Sequence, residues 1–418
     1  MIAYLPRILD TMIQDRLGSS GAIVVEGARA TGKTFTASHH AASAVRVDAE
    51  LEKQPLLRSH PETLLSGKAP RLIDEWQILP ELWNMVRREV DDRQQKGQFI
   101  LTGSAIPQDD ITRHSGAGRF SRLRMRPMTL FESQGSVHPI RISDLLHGSP
   151  IVQGKSTFEL RSVIDTMIKG GWPALHGDNN GSVTWVRDYV DEMTRIDVAL
   201  LDTGVRQRDP NKIARVMRSL ARNVGAALRV STIQHDTAGE EGSISREAIA
   251  SYIDALQRVM ILETLPAWQP HLRSKTELRT SPKLYFVDPS IGPATLRLTP
   301  QRLLKDLSYV GQVFENLVMR DVQVYAQVNN GNISYYRDNN GLEVDIILEG
   351  EDDAWIAMEI KLGQSGHDEA AKNLLRFRDK VDTGRMGSPQ ALAIITSGGY
   401  ALTRPDGVHV IPIDLLSP

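Results

Sequence analysis

The run Ala22-Ile23-Val24-Val25-Glu26-Gly27-Ala28-Arg29-Ala30-Thr31-Gly32-Lys33-Thr34 constrains this chain more than any other stretch. Its first residues are apolar and predict a short buried strand. Gly27 then opens the pattern G-x-x-x-x-G-K-T, and Phe35, Thr36, Ala37 and Ser38 continue as helix. Strand, glycine loop, Lys-Thr and helix in that order is the context in which such a motif holds phosphate. Gly27 and Gly32 let main-chain N–H groups curl around anionic oxygens without a Cβ in the way. Ala28, Arg29, Ala30 and Thr31 supply the intervening amides. The helix that follows points its positive end at the same anion. Lys33 puts a point charge on the outer phosphates of a nucleoside triphosphate, ATP being the expected one, and the Thr34 hydroxyl is a ligand for Mg2+.

The second half of such a site is expected about 40 residues on. Arg71-Leu72-Ile73-Asp74-Glu75 supplies it, an apolar run ending in two acids. Asp74 is the candidate Mg2+ residue and Glu75 the candidate base that orients and deprotonates water. Residues 45–48 predict another short strand. Pro80 stands where a helix would begin, with Leu82, Val86 and Val90 at four-residue spacing. Phe99-Ile100-Leu101-Thr102-Gly103-Ser104 reads as a further buried strand. Thr102 and Ser104 at its end are both candidates for sensing the terminal phosphate.

Five arginines and no acid lie between 113 and 126: Arg113, Arg119, Arg122, Arg124 and Arg126. Arg119 follows Gly116-Ala117-Gly118, an approach that suits an arginine finger acting in cis or from a neighbouring copy. The alternation of Arg122, Arg124 and Arg126 puts them on one face of a strand, toward phosphate, nucleic acid or water.

At 418 residues the chain has room for about three domains. The expected division is 1–150, a P-loop ATPase core; 151–300, a helical lid and winged-helix region; and 301–418, a nuclease-like domain. A net charge of -2 gives no global attraction to nucleic acid or to a membrane. With no cysteine there is no disulfide and no thiolate metal site. The start, Met1 to Arg7, lacks the apolar run of a secretory leader, and no stretch is apolar enough to span a bilayer. A cytoplasmic protein with no membrane association is the expectation.

After a Gly/Ser/Pro-rich linker at 147–155, helices are predicted at 158–169, 185–200 and 212–223, the first broken by Gly170-Gly171-Trp172-Pro173. Residues 231–268 are more particular. A short helix opens at Ser231, and a polar loop follows through Glu240, Glu241 and Gly242. Ser245 caps a helix whose Ile249, Tyr252, Ile253, Leu256, Val259 and Met260 recur on one face. Strands at 261–265 and 283–287 flank a basic loop with His271, Arg273, Lys275, Arg279 and Lys283. That order is a winged-helix pattern, used by DNA-binding proteins and by plain packing modules alike.

The last third predicts a helix at 307–325 carrying Glu315. Strands at 333–337 and 342–348 are joined by Asp338-Asn339-Asn340-Gly341, a strong hairpin signal. A third strand at 354–362, a helix at 367–381, and strands at 391–396 and 408–413 follow. Glu343 and Asp345 share one face of the second strand, and Glu359 and Lys361 share one face of the third. Asp345 and Glu359 on adjacent strands offer two hard oxygen ligands to Mg2+ or Mn2+, with Glu315 as a further ligand or an orienting group. Lys361 is placed to position or activate a water. The same residues also suit an ordinary solvated sheet face.

Nearly the whole chain resembles the prokaryotic AAA-domain ATPases that carry a C-terminal domain of unknown function related to the PD-(D/E)xK nucleases. The resemblance rests on residues 27–34, 72–75 and 99–104, on Gly118-Arg119, on 170–173, on 252–268 and 283–289, on Glu343-Val344-Asp345 and on Glu359-Ile360-Lys361. It implies an α/β fold with a parallel-sheet P-loop core, a winged-helix middle and a restriction-endonuclease-like end. It implies ATP binding at Lys33 and Thr34, and Mg2+ and water roles for Asp74 and Glu75. By the wider nuclease pattern it implies a metal and catalytic set of Asp345, Glu359 and Lys361, although Val344 stands where the motif's name has proline. Two roles follow. In one, the nucleotide state gates a nuclease on DNA. In the other, the protein is an ATP-dependent switch whose inactive nuclease-like domain recruits a protein or nucleic-acid partner. An arginine finger acting in trans requires an oligomer, and one acting in cis does not.

Overall fold

The computed structural model describes residues 4–105, 116–135, 139–177, 181–197, 209–227, 229–238, 242–270 and 281–418. Arg113, Glu240, Glu241, residues 198–200 and the basic-loop residues His271, Arg273, Lys275 and Arg279 lie outside them. The chain divides into two compact units. The first comprises residues 1–128, 172–174 and 254–261; the second comprises 129–171, 175–253 and 262–418.

The first unit is built on strands β1 (Ala22–Glu26), β2 (Ser43–Arg46), β3 (Arg71–Asp74), β4 (Phe99–Gly103) and β5 (Phe120–Arg124). They form one sheet in the order β2-β3-β4-β1-β5, every neighbouring pair parallel. Parallel strands need crossovers on the sheet faces, so central strands are covered on both sides and read as unbroken apolar runs. Ala22, Ile23, Val24 and Val25 are fully buried, as are Phe99, Ile100 and Leu101. The helix Glu81–Arg93 buries Leu82, Trp83, Val86 and Val90, the spacing legible in the sequence. Because all strands run the same way, the turns after β1, β3, β4 and β5 share one edge of the sheet, where ligands of open parallel sheets bind.

The second unit holds a seven-stranded mixed sheet. Its strands are β7 (Gly154–Lys155), β10 (Asn332–Arg337), β11 (Glu343–Glu349), β12 (Trp355–Lys361), β13 (Ala391–Thr396), β14 (Tyr400–Thr403) and β15 (His409–Pro412), in the order β10-β11-β12-β13-β15-β14-β7. β10, β11 and β12 form an antiparallel meander, and β13 returns parallel to β12 after the helix His367–Lys380. Ala370, Leu374 and Phe377 of that helix join Trp268, Tyr336, Trp355 and Ile394 in one core cluster. The long helix Leu307–Val328 is capped by Asp306, whose side chain accepts from the Tyr309 amide. The hairpin turn closes as predicted: Gly341 adopts φ 82°, and Asp338 Oδ1 accepts from the amides of Asn340 and Leu342.

The middle region adds helices Pro210–Arg222, Val230–Asp236 and Arg246–Arg258. Strands β8 (Leu262–Leu265) and β9 (Lys283–Phe286) follow as an antiparallel pair. The division between the units does not follow the expected boundary at 150. β7 pairs with β14, and β6 (Ile140–Arg141) pairs with β16 (Leu416–Ser417), so residues 129–171 belong with the C-terminal sheet. Those two-residue pairings are too short to leave a periodicity in the sequence.

Candidate functional site

The loop after β1 is shaped by contacts that leave little choice of residue. A Cβ added to Gly27 would sit 2.1 Å from the Met125 carbonyl oxygen, so β5 approaches the loop only because that position is glycine. Gly32 adopts φ 97° at the N-cap of the helix Lys33–His40, and Ala30 also has a positive φ of 63°. Arg7 braces the loop, donating to the Thr31 carbonyl at 2.8 Å and to the Arg126 carbonyl at 2.8 Å.

Lys33 is 5% exposed, and its ammonium donates to the Ala28 carbonyl at 2.8 Å inside the curl of the loop. Burial pulls its pKa from 10.5 down to about 8. The carboxylates of Glu75 and Asp74 act against that shift, whereas the charges of Arg124 and Arg29 add to it. A buried ammonium held inside the glycine loop by the Ala28 carbonyl is a site prepared for an anion.

The acids at the end of β3 meet it. Asp74 is buried, and its Oδ1 accepts from the Thr34 hydroxyl at 2.8 Å and from the Thr102 hydroxyl at 2.5 Å. A hydroxyl and a carboxylate facing one another are the donor set Mg2+ takes, so these residues fit that ion. Glu75 stands in the left-handed region at φ 58°, an uncommon conformation for glutamate. Its Oε2 accepts from Ser104 Oγ at 3.0 Å and from the Gln77 amide. Both sensing candidates are therefore in place with different partners, Thr102 on Asp74 and Ser104 on Glu75. Gln77 was not singled out from sequence; its position two residues beyond Glu75 was the available signal.

Arg119 does not join this group. It precedes β5, whose Phe120 is level with Ala22 at the start of β1, whereas the phosphate loop follows the other end of that strand. Five residues of strand are about 16 Å. The Arg119 guanidinium bonds Asp91 Oδ1 at 2.9 Å. Arg124 is the arginine at the correct end, level with Glu26 and close enough to Lys33 to act on its titration. Arg122 is drawn to Glu26 and lies 4.8 Å from the Trp83 ring.

In the second unit the predicted acids do come together. The register that sets Ile346 against Met358 carries Asp345 opposite Glu359, and the Ile360 amide donates to Asp345 Oδ2 at 2.9 Å. Lys361 Nζ is 2.8 Å from Glu359 Oε2. Burial raises Glu359 to about 8, with the Asp345 charge adding to it, and raises Glu315 to about 7 against the pull of Lys283. Glu315 Oε1 accepts from the Tyr285 hydroxyl at 2.6 Å. The residue missed from sequence is Lys283. Its ammonium lies 2.7 Å from Glu343, 3.5 Å from Glu315 and 3.8 Å from Asp345. Among the described residues no group of three or more histidines or acids is arranged to hold a metal ion. Lys283 thus stands against Glu315 and Asp345, two of the three acids that the nuclease pattern assigns to a divalent cation.

A second charged group is fully buried. Arg320 bonds Asp288 at 3.0 Å and Asp321 at 2.8 Å. Asp321 also accepts from the Leu130 amide at 3.0 Å, and Asp288 from the Gly171 amide at 2.9 Å.

Comparison with known proteins agrees with this geometry at the N-terminal end. Residues 19–134 match the model of an AAA domain. Residues 160–302 and 310–416 match two domains of unknown function, DUF8612 and DUF4143. An uncharacterized protein of Mycobacterium tuberculosis is 23% identical over 333 residues, covering 78% of this chain and 67% of its own. One of Mycobacterium bovis matches with the same figures. Among solved structures, the Walker-type ATPase PABY2304 of Pyrococcus abyssi matches at 12% identity and a TM-score of 0.45, covering 70% of this chain and 96% of that one. PCH-2 of C. elegans matches at 12% identity and a TM-score of 0.19, covering 60% of this chain and 66% of that one. Among the described residues no helix is long and apolar enough to cross a membrane. Residues 19–134 are thus similar to an AAA domain, and their parallel sheet and glycine loop support a P-loop ATPase core in that stretch.

Proposed function

We propose that the chain hydrolyses ATP at the Lys33, Thr34, Asp74 and Glu75 site and uses the nucleotide state to control a nuclease-like C-terminal unit of the PD-(D/E)xK type. The observation that carries this reading is the convergence of four loops on one sheet edge, with Thr34 and Thr102 on Asp74 and Ser104 on Glu75. The amides of 27–32 and the helix N-terminus bind the phosphates, and Lys33 leaves the Ala28 carbonyl to bond their outer oxygens. Thr34 and Asp74 would hold Mg2+, which when bound neutralises charge on the phosphate oxygens. Glu75 orients the attacking water and takes its proton. Ser104 and Gln77 both bond Oε2 of Glu75, which orients the carboxylate and leaves Oε1 to accept from the water. Arg124 supplies positive charge in cis. Arg119 serves only from a second copy, which makes an oligomer part of the active form if it is a finger.

For the C-terminal unit, binding of a protein or nucleic-acid partner without cleavage is the role favoured by the Lys283 ion pairs. The winged-helix order of helices and hairpin in the middle region supports DNA as one candidate partner. The test is a pair of assays on the purified protein. Mg2+-dependent ATP hydrolysis is expected, and Lys33→Ala should abolish nucleotide binding. With Mg2+ or Mn2+ and mixed DNA substrates, no cleavage is expected; metal-dependent cleavage removed by Glu359→Ala would establish the gated nuclease instead.

A further inference from the structure

We infer that the ε-ammonium of Lys283 takes the place of a divalent cation in the acidic cluster of the C-terminal unit, closing that site as an internal ion-pair lock. The inference rests on the nuclease-like reading of the cluster and concerns what occupies it. Lys283 opens β9, a strand whose four residues are all buried, and its side chain is 4% exposed. From there the ammonium reaches Glu343 on β11, Asp345 on the same face of β11, and Glu315 on the helix Leu307–Val328. A bridging Mg2+ or Mn2+ stands about 2.0–2.6 Å from its oxygens, so an ammonium within 4 Å of three carboxylates fills the volume such an ion needs.

Charge counting agrees. Glu315, Glu343, Asp345 and Glu359 bring four carboxylates. Lys283, Lys361 and Arg337 face them with three cations, Arg337 being 3.3 Å from Glu343. These cations already offset most of the charge that would draw a dication in. The surroundings are built for the lysine. The Tyr335 ring lies 5.3 Å from Nζ, and the Tyr285 hydroxyl completes Glu315. Gly225, at φ 77°, brings its backbone up to Glu315, where a Cβ would sit 3.0 Å from Oε1. The lock joins β9 to β11 and to the helix Leu307–Val328.

The experiment uses the full chain without nucleotide, so that the phosphate loop takes up no metal with ATP. Mn2+ is titrated by calorimetry into wild type, Lys283→Met and Lys283→Arg, and melting is followed with and without Mn2+. Lys283→Met should bind Mn2+ at least about tenfold more tightly than wild type, because it removes the cation that Glu315, Glu343 and Asp345 share. Mn2+ should also raise its melting temperature while leaving that of wild type and Lys283→Arg unmoved. If Lys283→Met folds poorly, recovery of folding on adding Mn2+ is the same readout. Equal Mn2+ binding by wild type and Lys283→Met, abolished by Glu359→Ala, overturns the lock while upholding the nuclease-like reading. Failure of Lys283→Met to gain any Mn2+ response overturns the lock as well.

Discussion

Burial of Lys33 links nucleotide binding to a proton. Its pKa falls from 10.5 to about 8 in the nucleotide-free protein, which disfavours the ammonium by about 3 kcal/mol. A bound triphosphate brings several negative charges to Nζ and restores the charged form. At pH 8 about half of the Lys33 side chains are neutral, so ATP binding should take up about half a proton, close to none at pH 7 and approaching one at pH 9. Above pH 8 the affinity should fall about tenfold per pH unit. The terminal phosphate of ATP ionises near pH 6 and does not contribute in that window. Titration calorimetry in two buffers of different ionisation enthalpy, at pH 7, 8 and 9, measures the uptake directly. Lys33→Arg is the control, since a guanidinium keeps its proton. Without nucleotide the sign for stability is the opposite of a salt-bridged lysine. The unfolded chain binds more protons than the folded one between about pH 8 and 10.5, so stability rises with pH there. Zero proton uptake across this range in wild type would refute the claim that Lys33 waits partly deprotonated for the phosphate.

Arg320→Met should destabilise the second unit by about 3–5 kcal/mol, because it leaves Asp288 and Asp321 as buried charges without their cation; urea denaturation reads the loss. Its effect should exceed that of Arg297→Met, whose pair with Asp191 is exposed, by several kcal/mol. Gly27→Ala should abolish nucleotide binding as fully as Lys33→Ala, because the new methyl would need the Met125 carbonyl to move; fluorescent-nucleotide titration measures it.

Much of the nucleotide site was legible because its chemistry is local. The glycine loop, Asp74-Glu75 and the Thr102 and Ser104 strand end each announce themselves in a few residues, and parallel topology does the assembly. For Arg119, proximity to Gly116 and Gly118 says nothing about which end of β5 it adjoins; the register with β1 puts it at the end away from the glycine loop of the same chain. Arg124, two residues before Arg126 in an alternating row, could be assigned only once Glu26 was known to be its neighbour. In the last third, the order of helices and strands and the pairing of Asp345 with Glu359 followed from period-two patterning and the Asp338–Gly341 turn. Lys283 was read as one more charge of a basic loop, because nothing local marks the first residue of a strand as the partner of acids 32, 60 and 62 positions away. The Arg320 network was invisible for the same reason: its charges come from the exit of β9 and from one helix, and the amides that complete it, of Leu130 and Gly171, lie far away in the chain.

The central claim, that Asp74 and Glu75 divide metal holding from water activation, is tested most directly by Glu75→Gln. Nucleotide affinity and single-turnover hydrolysis are measured on the same preparation with Mg2+. Affinity should stay within about twofold of wild type while hydrolysis falls by about 100-fold or more, because only the base is lost. Normal turnover in Glu75→Gln, or loss of nucleotide affinity with it, would contradict the assignment.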